Sequence, residues 1–239
     1  KVSSDSTLTI TDCQDNTGAI SGGTGTFMSK LEHYNSGSKG YCGGGLFVEG
    51  TLELYGGSIK GNHCPMYHDA SDDHGGGGGV FLNGGAFDMF GGVITENSAM
   101  ESGNGVFCNG GQFNMYGGSI TENGREIDGW RLTYMGSTGG VGLSNKAEMT
   151  MSGGKISSNL TSFTGGVQVD DGSSLTLSGD AKIIDHDCSG IDYGGVFLRG
   201  GKAKLIMSGG EISGNAESAV IVNDSEIIEM TGGVIEAGD

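Results

Sequence analysis

One phrase recurs along this chain and limits what it can fold into. GGVFLNGGAFDMFGGVITEN runs from Gly78 to Asn97, and NGVFCNGGQFNMYGGSITEN follows from Asn104 to Asn123. Further copies read GGLFVEGTLELYGGSIKGN from Gly44, GGVGLSNKAEMTMSGGKISSN from Gly139 and GGVFLRGGKAKLIMSGGEISGN from Gly194. Weaker copies start at Gly165 and Ala219, and TLTITDCQDNTGAISGG, from Thr7, matches the second half of a copy. The paired-glycine position steps through Gly57, Gly92, Gly118, Gly154, Asp180, Gly210 and Gly233. Self-similarity at roughly 20–50 residues marks a solenoid, in which each copy is one coil and buries its apolar face against its neighbours.

Each copy holds three short strand signals separated by glycine turns. In one copy they are Val80 to Leu82, Ala86 to Met89, and Val93-Ile94. Side chains alternate along a strand, so Val80, Leu82, Phe87, Met89 and Ile94 share one side. The copies then align into apolar columns. Leu52, Phe87, Phe113, Met149, Leu175, Leu205 and Ile228 form one. Leu54, Met89, Met115, Met151, Leu177, Met207 and Met230 form a second, and Ile59, Ile94, Ile120, Ile156, Ile183, Ile212 and Ile235 a third. Stacking about seven to eight such coils, ~4.8 Å apart, buries the columns as a continuous core. The glycines supply positive φ at tight corners. No window sustains helical periodicity, and interior glycine costs a helix about 1 kcal/mol per residue. The expected fold is all-β, one parallel β-helix domain over residues 1–239.

Composition narrows the function. The chain has 51 glycines and one proline in 239 residues, without the strict triplet period of collagen. Its net charge of −17 argues against nucleic acid, which demands a basic footprint. No apolar run is long enough to span a bilayer, so membrane insertion is not expected. The chain opens at Lys1, already within a coil pattern, and reads as a mature chain or a fragment of a larger surface protein. Cys108 falls in the column of Val48, Leu82, Leu143, Val169 and Leu198 and reads as a buried free thiol. Cys42 and Cys64 bracket one copy and are candidates for a disulfide between two loops at one corner.

The phrase Gly91-Gly92-Val93-Ile94-Thr95-Glu96-Asn97 followed by Gly105-Val106-Phe107, with the opening Leu8 to Cys13, resembles the repeats of bacterial adhesin-like surface proteins. These belong to the pectate-lyase-like superfamily and include the polymorphic outer-membrane group and many gut Firmicutes surface proteins. The resemblance implies a right-handed parallel β-helix and an extracellular, bacterial cell-surface location. It is specific for fold and weak for activity, because that superfamily spans lyases, hydrolases, tailspikes and inert stalks.

Two columns invite a functional reading. Asn62, Asn97, Asn123, Asn159 and Asn215 recur after the isoleucine, as expected for stacked amides that satisfy backbone groups at a corner. Tyr55, Phe90 and Tyr116 share a column opposite in direction to Met89, replaced further on by Ser152, Ser178 and Ser208. Such a ladder packs externally or offers a surface for sugar rings.

Departures from a minimal coil gather between the Asn corner and the next glycine pair, so the loops project from one face, often the binding face of a solenoid. Residues 63–74 carry three of the five histidines. There His63, His68, Asp72, Asp73 and His74 are candidate ligands for zinc or calcium, although the spacing matches no closed zinc signature. Residues 124–135 carry the only tryptophan, Trp130, with Arg125, Arg131 and Tyr134. An aromatic platform flanked by donors suits a sugar ring, and Tyr34 and Tyr67 lie in loops of the same corner. Glycoside hydrolysis needs an acid and a base or nucleophile set across the bond. Asp170-Asp171 sits in a turn sequence, Asp185 and His186 fall where a corner Asn belongs, and the Gly-His-Gly and Arg-x-Lys segments of the superfamily's hydrolases do not occur. The reading is a structural and adhesive rod whose loops bind a glycan or a host or neighbouring surface protein. The alternatives are a carbohydrate-active enzyme, lyase or hydrolase, working in the loop-lined groove, and an inert spacer.

Overall fold

The computed structural model describes residues 1–12, 17–28, 40–65, 75–99, 102–124, 138–161, 163–186, 194–224 and 227–238. A full coil contributes three short strands, as in Val80–Asn83, Ala86–Met89 and Val93–Thr95. Each strand pairs in parallel with its equivalents in the coils above and below, position for position. First strands make a 7-stranded sheet. Second and third strands form two arrays that join into one 14-stranded sheet, because Lys204–Asn215 runs unbroken round the corner between them. The chain is a parallel β-helix, with no α-helix among the described residues.

The core is the set of columns the repeat implies. Leu52, Phe87, Phe113, Met149, Leu175 and Leu205 pair in register and are buried. The methionine and isoleucine columns behave alike, and Cys108 is a buried free thiol between Leu82 and Leu143. Each buried side chain of this size contributes about 1.5–3 kcal/mol. Phe87 and Phe113 add face-to-face stacking at 4.6 Å. In the last described coil Val222, Ile228, Met230 and Ile235 are exposed.

The corner between second and third strands shows why the glycine pair is needed. Gly118 has φ +80°, and a Cβ there would sit 2.7 Å from the Gly92 carbonyl oxygen. On Gly117 a Cβ would approach the Phe90 carbonyl oxygen at 2.5 Å. The coil spelled SGDA departs from this: positive φ falls on Gly179 rather than on Asp180, and the additional Ala181 turns into the core.

The corner after the third strand is built differently. The residue just before the Asn, or before His186 in one coil, is left-handed in successive coils: Gly61, Glu96, Glu122, Ser158, Asp185 and Gly214 all have φ between 53° and 61°. A non-glycine residue there costs roughly 1–2 kcal/mol, partly offset because glycine loses more chain entropy on folding. Glu122→Gly is therefore expected to raise stability by up to about 1 kcal/mol, read from urea denaturation midpoints.

Candidate functional site

The Asn corner is held by a continuous amide ladder. The Asn62 amide and backbone N–H both donate to Asn97 Oδ1, at 2.9 and 3.0 Å. Asn97 donates in the same way to Asn123, and Asn123 to Asn159. Each amide also reaches the carbonyl of the isoleucine one coil back, as Asn123 Nδ2 does to Ile94 at 2.9 Å. The backbone then continues the stack, with Gly124 N–H donating to the Asn97 carbonyl and Leu160 N–H to that of Asn123. The side chains are fully buried. Their hydrogen-bonding capacity is committed to the corner, so the column is structural.

One rung departs from asparagine. His186 takes the position between Asn159 and Asn215, accepting the Asn159 backbone N–H at Nδ1 over 3.2 Å. The His186 backbone N–H donates to Asn215 Oδ1. Nε2 is buried and closes no hydrogen bond, although the Ile156 carbonyl lies in its direction. Burial pulls the imidazole pKa from 6.5 down to about 4. His186 is thus a neutral ladder rung.

The same corner carries a second apolar cluster that the alternation rule does not anticipate. Phe47, Phe81 and Phe107 point opposite to Val48, Leu82 and Cys108 along their strands, yet they are 1–2% exposed. Their rings follow one another at 5.5 and 5.4 Å and pack with Cys42 and Met28 outside the solenoid core. The cover comes partly from the glycine run before Val80. Gly76 bridges in parallel to Cys42 and Ser102, and a Cβ on it would meet the Phe107 ring at 3.3 Å. Three aromatics in register at outward positions, beside five consecutive glycines, are the sequence signal for this cluster.

Cys42 and Cys64, the candidate disulfide pair, lie near each other here as separate thiols. Cys64 turns its Sγ to the Tyr41 carbonyl at 2.6 Å instead. Burial pushes the Cys42 pKa up to about 12, and burial followed by the neighbouring Cys42 raises that of Cys64 well above its ordinary value. Both are protonated at neutral pH.

Of the candidate metal ligands, His63 is described; its Nδ1 lies 2.8 Å from Ser98 Oγ, on the short strand pair His63–Cys64 and Ser98–Ala99. His68, Asp72, Asp73 and His74 lie outside the described residues, as do Trp130, Arg125, Arg131, Tyr134, Tyr67 and Tyr34. Among the described residues no group of three or more His, Cys, Asp or Glu is placed to hold a metal ion. The segments carrying these candidates are flanked by described residues. Thr26–Met28 and Gly40–Cys42 pair antiparallel around residues 29–39. Pro65 and Gly75 flank residues 66–74, and Gly124 and Thr138 flank residues 125–137.

Elsewhere, Asp170 meets Arg199 Nε at 3.0 Å and accepts from Gln168 Nε2 at 2.8 Å. Burial raises its pKa, and Arg199 opposes the rise. Asp171 accepts the Lys202 backbone N–H at 2.9 Å. The adjacent carboxylates are thus engaged in separate turn contacts. On a different corner, Tyr55, Phe90 and Tyr116 form an exposed ladder, with ring centroids 4.5 and 4.9 Å apart and planes within 12°. No helix of the described residues is long and apolar enough to cross a membrane. Comparison with protein-family models, with curated proteins and with solved structures yields no match.

Proposed function

We propose that this chain is an extracellular structural and adhesive β-solenoid, similar to bacterial adhesin-like surface proteins, that presents corner segments to a glycan or to a host or neighbouring surface protein. The observation that carries the reading is the amide-laddered corner. The segments rich in Trp, Tyr, Arg and His follow two of its rungs, Asn62 and Asn123, and precede the next glycine pairs. A corner whose backbone groups are bonded from coil to coil holds the insertion ends at fixed spacing. Less chain entropy is then lost when the insertions meet a ligand. Binding is passive in this account.

A glycan array probed with the purified chain, with and without calcium or zinc, tests it. Trp130→Ala is expected to lose at least tenfold in signal on at least one glycan that the parent chain binds. Retained binding in Trp130→Ala would remove the 124–135 segment from the account. Silence of the parent chain on all glycans, with or without metal, would favour a spacer or a protein-binding rod.

A further inference from the structure

The aromatic ladder lies on the corner between second and third strands, away from the corner that carries the insertions. We propose that the free face of Tyr116, above Ser152, is a binding site for one ring of a neutral, hydroxyl-rich glycan. This deepens the glycan reading but places a site on a second corner.

The geometry starts from the stack. Tyr55, Phe90 and Tyr116 are 48%, 42% and 48% exposed, although each is large and apolar. Phe90 has both faces against neighbouring rings, whereas each tyrosine has one. In the next coil the register continues through Met115 and Met151, so Ser152 follows Tyr116 in the column, and its N–H donates to the Met115 carbonyl. Ser178 and Ser208 come next, with the Ser178 N–H bonded to the Met151 carbonyl. A serine covers far less of a ring face than an aromatic does. The ladder therefore ends in a step one coil deep, about 4.8 Å. That is close to the separation already seen between its rings, and a pyranose stacks on an aromatic face at a similar distance. At the other end, Thr11 follows Ile10 in the column beside Tyr55, and a threonine is bulkier than a serine.

The lining decides the chemistry. Ser152 and Ser178 supply hydroxyls below the step, and Thr150 and Thr176 supply them along the adjoining outward row. Asn114 and Asp88 extend that row beside Tyr116 and Phe90, joined at 2.8 Å. No arginine stands in these columns to grip a carboxylate by two bonds. With a net charge of −17 the rod repels polyanions. Neutral hexoses fit both facts.

The test is saturation-transfer NMR and titration with β-linked glucose and galactose tetrasaccharides. The parent chain is expected to bind at least one of them, with the Tyr116 ring protons perturbed. Tyr116→Ala is expected to weaken that binding at least tenfold. Ser152→Leu covers the Tyr116 face with an aliphatic side chain that presents no new ring to the next coil, and is expected to abolish binding with the circular dichroism melt unchanged. Absence of binding by the parent, or full binding by Ser152→Leu or by Tyr116→Ala, overturns the proposal. Parent binding that both variants retain leaves the insertion corner as the glycan site. Loss in both variants upholds it.

Discussion

Asn123→Ala is expected to lose about 4 kcal/mol of stability. Asn123 Oδ1 accepts from the Asn97 backbone N–H and from Asn97 Nδ2. Its own amide satisfies the Ile94 carbonyl and Asn159 Oδ1. Truncation strands these partners where water has no ready access, since Asn97, Asn123 and Asn159 are all fully buried. Each orphaned buried group costs about 1–3 kcal/mol, so three or more exceed the worth of the side chain's apolar atoms. Urea denaturation measures the loss. Asn114→Ala supplies the contrast: Asn114 belongs to an outer-face amide contact with Asp88 at 2.8 Å, where solvent replaces the lost bond, and it should cost under about 1 kcal/mol. Equal losses in the two variants would show that the ladder is no more than a row of surface amides.

The second large effect is acid sensitivity centred on His186. Its folded pKa of about 4 lies below the ordinary 6.5, so the unfolded chain binds the additional proton first. The stabilisation is complete above pH 6.5 and is lost as pH falls through the folded value, about 3 kcal/mol in total. The structural reason is burial, which disfavours the charged imidazolium. The flanking groups in the ladder, Asn159 and Asn215, are neutral amides and offer the imidazolium no counter-charge. His186→Asn restores an uninterrupted amide column. It is expected to be more stable at pH 7, and to retain between pH 6.5 and pH 4 most of the stability that the parent loses. Comparing the two proteins at each pH cancels the relief of self-repulsion that a chain of charge −17 gains from acid. Parallel stability curves would show that His186 titrates freely and is not a ladder rung.

The apolar columns were legible because a solenoid repeats one environment. Leu52, Leu54 and Ile59 meet the same neighbours in each coil, so alignment of the copies to one another reads out the contacts that the structure shows in register. The Asn ladder and the exposed Tyr55–Phe90–Tyr116 stack were legible for the same reason. Phe47, Phe81 and Phe107 were not: alternation sends them outward, and only the glycine run folding back over them makes that side dry. Nor did spacing settle Cys42 and Cys64. Proximity along the chain brought them to one corner, but the direction of each thiol is set by the Tyr41 carbonyl and the surrounding backbone.

By itself the sequence determined the coil, its inward columns and its two kinds of corner, since these depend on residue alternation and on where a Cβ is tolerated, both local properties repeated many times. Only the tertiary structure decided which outward residues are buried, and that the His186 ring is enclosed with its pKa pulled down. Those outcomes depend on what the neighbouring coil and the returning corner backbone place against a side chain, and no single coil carries that information.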